Sequence, residues 1–156
     1  MREFDNIASF IGHLAMVDRG MHEHIERAVE KAAVLIETTA KEELGHYQPA
    51  VGPFPAWPDL AARTLEHHER MGVGDTPLLV TGELYASIEH ETNGNEAVIG
   101  TKSEIGAYQE FGTPSIPPRP FMGPAALRSK EGIEEIFGRA LAGAIADISI
   151  LGAPEE

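Results

Sequence analysis

The sequence has no cysteine, and its 12 lysines and arginines are outnumbered by 25 aspartates and glutamates. The lack of cysteine excludes disulfides, thiolate metal sites and a cysteine nucleophile. The net charge of −13 argues against tight binding of nucleic acid, because phosphate groups are neutralised by lysine and arginine. No apolar run approaches the roughly 18–20 residues that a membrane-spanning helix needs, so no contact with a membrane is expected.

What the chain does contain is typical of one folded domain. Of its 156 residues, 42% are hydrophobic and 24% are charged, close to the averages of globular proteins. We predict a single domain over residues 1–156, with 1–20 as a less ordered lead-in and 149–156 as a less ordered tail. The first residues carry no basic leader, and Asp5 interrupts their apolar stretch. We therefore expect no secretory signal and a protein made in the cytoplasm.

Three stretches show helical patterns. Apolar residues recur every three or four positions over residues 21–44, and Gly45 is the expected stop of this long helix. A similar pattern predicts a second long helix over residues 125–148. A shorter helix is predicted over residues 58–72, which start with a proline and end with a glycine.

The middle of the chain predicts short elements. Thr81 can cap a helix over residues 82–87. Residues 88–101 are predicted to form a β-hairpin whose turn is the Asn-Gly pair at positions 93–94. A further short helix is predicted over residues 103–111. The predicted fold class is α+β, with a small antiparallel sheet packed against two long helices and several short ones.

The first of two proline-rich segments covers residues 47–58 and contains four prolines. Because proline lacks an amide donor, this segment is predicted to be an extended loop. Its aromatic residues Phe54 and Trp57 are expected to be exposed. They are the candidate contacts with another subunit or with a partner.

The second proline-rich segment covers residues 113–124 and includes an extended strut over residues 117–120. Arg119 is the sole charged residue of this strut. Its guanidinium is predicted either to be solvated or to bind a carboxylate, such as that of Glu110 or one from a neighbouring chain.

The sequence offers little that is typical of catalysis or metal binding. Its seven histidines include His22 and His24, whose spacing points them to different sides of a helix. Glu43-x-x-His46 matches one half of a di-iron carboxylate motif, but the second half is missing. Motifs for phosphate, dinucleotide or serine-hydrolase chemistry are missing too. We predict no catalytic, cofactor-binding or metal-ligating residue and interpret the histidines as solvated.

Four short stretches, in fixed order between residues 78 and 127, resemble a family of tailed-bacteriophage morphogenesis proteins. These are the neck proteins described as tail-completion, head–tail joining or minor tail proteins, also known from prophages and gene transfer agents. The residues that carry the resemblance are the candidate structural or assembly residues: Thr81, Gly82, Leu84, Ser87, Gly100, Thr101, Tyr108, Glu110, Phe111, Gly112, Pro117, Pro118, Arg119, Pro120 and Phe121.

The resemblance implies a structural protein of the virion, assembled in the cytoplasm of the bacterial host, without catalysis and without a cofactor. Its subunits are expected to form a ring in the neck, of about six copies or alternatively about twelve. The expected partners are a head-closure or connector protein on one side and a tail-terminator or tail-tube protein on the other. DNA is expected to pass through the ring without specific binding, which the acidic composition permits.

Two other functions are compatible with the sequence. The proline-rich segments could dock a partner as part of a monomeric adaptor or inhibitor module. The seven histidines and many carboxylates could instead belong to a small metal-dependent or hydrolytic enzyme. Stoichiometric metal in the purified protein would favour the enzyme. The mass of the concentrated protein in solution would separate an adaptor from a ring-forming subunit.

Overall fold

A computed structural model describes the backbone of residues 7–151 and the side chains of residues 7–148. Within them the chain forms six helices and one two-stranded antiparallel sheet, which confirms the predicted α+β class. None of the described helices is both long enough and apolar enough to cross a membrane. In chain order the elements are α1 (Ile7–Glu43), α2 (Ala62–Met71), α3 (Glu83–Ser87), β1 (Ile88–Asn93), β2 (Glu96–Thr101), α4 (Glu104–Phe111), α5 (Met122–Arg128) and α6 (Lys130–Leu151).

Helix α1 is longer than the sequence predicts. It begins at Ile7 rather than after Gly20, and it ends at Glu43. A glycine inside a helix costs only about 1 kcal/mol relative to alanine, which is too little to end a helix of 37 residues. The predicted lead-in is therefore helical from residue 7 onward. Residues 1–6 lie outside the described chain.

Helix α2 begins later than predicted. It starts at Ala62 rather than at Pro58, because the preceding residues run as extended chain with their carbonyls bonded to Arg119. The predicted end is confirmed. Gly72 adopts a left-handed conformation with φ of 72°, and its N–H donates to the carbonyl of Glu69 at 3.0 Å.

The predicted final helix is in fact two helices. α5 ends at Arg128 and α6 begins at Lys130, with the buried Ser129 between them. The hydroxyl of Ser129 donates to the hydroxyl of Thr39 in α1 at 3.1 Å, so the break lies against α1. α6 continues to Leu151, and the first three residues of the predicted tail are therefore helical, whereas 152–156 lie outside the described chain.

Helices α1 and α6 pack antiparallel, and glycines let them approach closely. A Cβ atom at Gly132 would lie 2.7 Å from Cδ2 of Leu35, and one at Gly143 would lie 3.0 Å from the ring of His24. Nε2 of His24 is also 2.8 Å from a carboxylate oxygen of Asp147. These pairs fix the register, in which α6 runs back along the middle of α1.

The main core lies at the C-terminal end of α1, where the loops and short elements converge. Phe121 and Ile88 are its fully buried large side chains, both with 0% exposure. Because its members come from most parts of the chain, this core ties the proline-rich loops to the helices. The cluster contains Ala40, Leu44, Trp57, Leu84, Ile88, Phe121 and Ala125.

The predicted hairpin forms, with its turn shifted by one residue. β1 and β2 pair as far as Asn93 and Glu96, so the turn residues are Gly94 and Asn95 rather than Asn93 and Gly94. Gly94 has a φ of 60°, the positive value that glycine supplies in a two-residue hairpin turn. The prediction of a glycine-dependent turn is thus confirmed, and only its position was wrong.

A histidine holds the hairpin to α1. His90 of β1 lies between the carboxylates of Glu30 and Glu37, with its Nε2 3.1 Å from Glu30. The hydroxyl of Thr92 also donates to Glu30, at 2.6 Å. The hydrogen bonds of His90 to Glu37 and Glu30 raise the pKa of the imidazole above its usual value. The interpretation of the histidines as solvated is therefore wrong for His90.

Candidate assembly site

Three of the four stretches that carry the phage resemblance border one groove of about 540 Å³, whereas residues 98–101 lie outside it. One wall comes from residues 59–68, in the segment around the start of α2, and the other from residues 78–84 and 105–119. The groove therefore forms where separate parts of the chain meet the resemblance region. Five of the predicted assembly residues line it: Thr81, Gly82, Leu84, Pro117 and Arg119.

Arg119 is buried beside this groove, with only 5% of its surface exposed. Its Nη2 donates to the carbonyl oxygens of Pro58 and Asp59, both at 2.9 Å, and its Nε donates to Pro58 at 3.2 Å. Burial lowers the pKa of the guanidinium from its usual value. The predictions that Arg119 is solvated or binds Glu110 are both wrong, because backbone carbonyls of the first proline-rich loop are its partners.

Glu110, at the end of α4, caps the following helix instead. Its carboxylate accepts hydrogen bonds from the backbone N–H groups of Phe121, Met122 and Gly123, at 2.8, 3.0 and 3.1 Å. These donors belong to the start of α5, which has no capping side chain at its own N-cap position. A negative charge at a helix N-terminus is also favourable for the helix dipole. Glu110 therefore fixes the end of α4 to the start of α5.

Between α4 and α5 the proline segment is held at both ends. Gly112 leaves α4 with a φ of 75°, and Thr113 pairs with Ile116 in an isolated bridge. The backbone N–H of Arg119 then donates to the carbonyl of Gln109 at 2.7 Å. Pro117 and Pro118 are exposed in the middle of this segment. The segment is a loop of defined shape that presents its prolines to solvent.

The two aromatic residues of the first proline-rich loop have different positions. Trp57 is only 6% exposed, and its indole N–H donates to the carbonyl of Pro120 at 2.8 Å. The predicted exposure of Trp57 is therefore wrong, because the residue joins the two proline-rich loops inside the core. Phe54 is half-buried, and a Cβ atom at Gly123 would lie 2.3 Å from its ring. Its role in a subunit contact stays a prediction.

Three other predicted residues order the chain around the hairpin. The hydroxyl of Ser87 donates to the carbonyl of Leu84 at 2.8 Å and lies 2.7 Å from the hydroxyl of Thr101. Thr101 in turn accepts a hydrogen bond from the N–H of Ser103 at 3.0 Å. Gly100 pairs with Glu89 across the sheet. These contacts connect α3, the hairpin and α4.

The remaining predicted residues lie on an exposed face of α4. Tyr108 is 46% exposed and Phe111 is 82% exposed, and the neighbouring Ile105 is 52% exposed. Their spacing of three residues places them on one side of the helix. This face is available for contact with another protein, as expected for assembly residues.

A buried polar cluster was missed by the sequence predictions. Glu43 is 4% exposed and bonds to Arg128, which also donates to the side chain of Gln48 at 2.9 Å and to the carbonyl of Pro49 at 3.2 Å. The cluster fastens the first proline-rich loop to α5. Its one sequence signal is the position of Glu43, three residues after the buried Ala40 and thus on the same face of α1.

The carboxylate of Glu43 is incompletely paired. One of its oxygens, Oε2, is buried and has no hydrogen-bond partner within the described part of the chain. Burial raises the pKa of Glu43 to about 7, although the charge of Arg128 acts in the opposite direction. The carboxyl group therefore titrates close to neutral pH.

Metal ligands are not grouped in the described part of the chain. Among residues 7–148, no three His, Asp or Glu side chains are arranged to hold a metal ion. Of the half motif at positions 43 and 46, Glu43 is buried with Arg128, whereas His46 is exposed. The interpretation of the histidines as solvated is also wrong for His68, which is buried and whose Nδ1 lies 3.0 Å from the carbonyl oxygen of Gly74.

Comparison with known proteins indicates a relationship to phages. No family model matches the chain, and no solved structure matches it at a significant level. The chain is similar to the Mu-like prophage FluMu G protein 2 of Haemophilus influenzae, with 38% identity over 79 residues. The match covers 46% of this chain and 50% of the relative, so it spans about half the length of the curated protein. The similarity supports a phage-related protein, and the neck assignment stays a prediction.

Proposed function

We propose that the chain is a structural protein of the phage neck, which joins the head connector to the tail tube as a ring through which DNA passes. The observation that carries the proposal is the similarity to the Mu-like prophage protein, since it supports a phage-related protein. Within that class, the motifs of residues 78–127 resemble neck proteins. We propose that the protein acts without catalytic activity and without a cofactor.

The geometry is compatible with assembly, because the polar residues of the motifs are used to shape the backbone. Arg119 and Glu110 bind main-chain groups, which fixes the proline segment between them. Tyr108 and Phe111 remain on the surface. A loop held in one shape beside an exposed apolar face is suited to contact another protein, since little conformational entropy is lost on binding.

The charge of the chain suits the passage of DNA. At −13 for each copy, a ring has few cations with which to hold phosphates, so DNA can slide through it. The proposed partners are the head-closure or connector protein, the tail-terminator or tail-tube protein, and further copies of the chain itself.

Deletion of the gene from its phage tests the proposal. We expect full heads and separate tails in electron micrographs of the lysate, with joined particles restored by the wild-type protein supplied from a plasmid. Phe111→Asp should fail to restore joining while retaining its fold, since this side chain is 82% exposed. Val98→Asp, at a site 72% exposed in the hairpin, is the matched control. Joined, infectious particles without the gene would contradict the proposal.

A further inference from the structure

The first turns of α1 form an arm, defined here as residues 7–17. The arm contains no aspartate, glutamate, lysine or arginine, although the whole chain carries a net charge of −13. Large apolar side chains in it are exposed: Ile7 by 78%, Ile11 by 59% and Leu14 by 48%. The arm therefore presents an uncharged, apolar helical surface to solvent.

The arm extends beyond the helix that packs against α1. His24 lies opposite Asp147 of α6, with 2.8 Å between the ring nitrogen and the carboxylate. α6 runs for only four more residues, to Leu151, which is about one helical turn. Residues 7–17 therefore lie past the described end of α6.

Three of the exposed apolar residues of the arm lie along one stripe, whereas the exposed Met16 lies on the other side of the helix. Ile7, Ile11 and Leu14 are separated by four and then three positions, so they share one face of the helix. A helix with this spacing is the form in which an amphipathic segment enters an apolar groove.

The groove beside Arg119 has a lining that suits an uncharged, apolar helix such as the arm. Its apolar lining comes from Leu60, Leu78, Leu84, Ile105 and Ile116. Its acidic lining residues are Asp59 and Glu83, and Arg119 is already bonded to carbonyls. An uncharged helix can enter without placing an acid beside these two carboxylates, whereas the acidic segments of the chain would be repelled.

A copy of the chain cannot fill its own groove with its own arm. Ala40, near the other end of α1, belongs to the same core cluster as Leu84, which lines the groove. The continuous helix from Ile7 to Ala40 is about 50 Å long at 1.5 Å per residue. The arm and the groove therefore lie at opposite ends of the molecule, and a contact between them has to join two copies.

We propose that the arm of one copy docks in the groove of the next copy. Such a contact uses two different surfaces, and repetition of it produces a ring when the rotation between copies closes. This inference rests on the ring form of the proposed function and names the surfaces that build it.

Disulfide trapping tests the contact, because the chain has no cysteine of its own. The single variants are Ile11→Cys in the arm, Ile105→Cys at the groove and Val98→Cys as an exposed site outside it. Full-length variants are mixed in pairs and oxidised at about 1 M salt, where the Debye length is about 3 Å. We expect about tenfold more disulfide between positions 11 and 105 than between positions 11 and 98.

A second substitution separates docking from random collision. Leu14→Asp, added to the Ile11→Cys chain, should remove the cross-link to position 105 while leaving the melting temperature unchanged, since Leu14 is 48% exposed. Equal cross-linking to positions 98 and 105, cross-linking mainly between two arms, or none at all would overturn the contact. Those results would not affect the joining role, which is measured on phage particles.

Discussion

Buried charged residues fasten the loops of this protein to its helices. Arg119 does so through the carbonyls of residues 58–59, and Glu43 does so through Arg128. Both charges lie away from water, where a group that loses its partner leaves unsatisfied polar atoms behind. Stability should therefore respond strongly to substitutions at these residues and weakly to substitutions at exposed charges.

Arg119→Ala should lower the free energy of unfolding by about 2–4 kcal/mol, because it removes a buried, packed side chain together with its three hydrogen bonds to the carbonyls of Pro58 and Asp59. Denaturant unfolding measures the change. The matched control is Arg139→Ala, at an exposed i, i+4 ion pair, which should change stability by less than about 1 kcal/mol. Equal effects of the two substitutions would show that Arg119 is not buried as described.

Glu43→Gln should stabilise the protein increasingly as the pH rises. Burial raises the pKa of Glu43 from 4.5 to about 7, so between these values the folded state holds a proton that the unfolded state has lost. Stability contributed by this group therefore falls as the pH rises from 4.5 towards 7, and glutamine removes that loss.

The gain of Glu43→Gln over the parent should be small at pH about 4 and on the order of 3 kcal/mol above pH about 8. Unfolding curves of both proteins across this range measure it, and the effects of titrating groups that do not interact with Glu43 cancel in the difference. Glu42→Gln, at the exposed neighbouring residue, should change stability by less than about 0.5 kcal/mol. A gain that does not change with pH would contradict the raised pKa of Glu43.

Sequence reasoning was weakest at these residues. The partners of Arg119 are backbone carbonyls about 60 residues earlier in the chain, and nothing in the local sequence reports such a contact. Trp57 was expected on the surface because it lies among prolines, yet its indole N–H bonds to the carbonyl of Pro120. Burial of a loop residue depends on which distant segment covers it.

At the scale of elements, the ends of helices decide how the chain turns. Glu110 fixes the start of α5 from the end of α4, and Gly94 sets the turn of the hairpin.

Periodicity predicted most of the helices and both strands, because the apolar spacing follows from which face is buried. The apolar periodicity placed several helix boundaries wrongly. The start of α1 was missed because Gly20 does not end the helix. The break between α5 and α6 was missed because Ser129 carries no stop signal.

Glu110→Ala should destabilise the protein by about 2 kcal/mol, because three N–H groups at the start of α5 lose a charged acceptor. Hydrogen exchange should accelerate at the amides of Phe121, Met122 and Gly123. Glu104→Ala is the control, because Glu104 is an exposed residue of α4, the helix that also contains Glu110. It should leave those amides protected. Unchanged exchange in the Glu110 variant would refute its role as a cap.

Gly94→Ala should lower stability by about 1 kcal/mol, because a side chain is disfavoured at its φ of 60°. Gly100→Ala in the same hairpin should be neutral or slightly stabilising, since a Cβ atom there meets nothing within 4 Å. Thermal melting of the two variants provides the comparison. Similar melting temperatures would show that the turn is misplaced.

At the scale of the whole molecule, charge opposes assembly and apolar surfaces favour it. A ring of six copies at −13 each would carry about −78, and such self-repulsion has to be overcome by contacts or screened by salt. The exposed face of α4 and the arm are two of the apolar surfaces that the described part of the chain offers for such contacts. The sequence identified Tyr108 and Phe111 of α4 as assembly residues, but it did not identify the arm. The exposure of a residue depends on which faces the fold leaves uncovered.

The purified protein should be largely monomeric at low salt and should associate more as salt increases, since the Debye length falls from about 30 Å at 0.01 M to about 8 Å at 0.15 M. Analytical ultracentrifugation across a salt series measures this. Closed rings should form mainly when the connector or the tail end is added. A stable ring at low salt without a partner would contradict this prediction.

Cryo-electron microscopy of the intact virion tests the neck function most directly. We predict a ring of copies of this chain between the head connector and the tail tube, into whose density α1, α6 and the hairpin fit, with DNA passing through its centre. A neck whose density is fully explained by other proteins, with no copy of this chain, would contradict the proposed function.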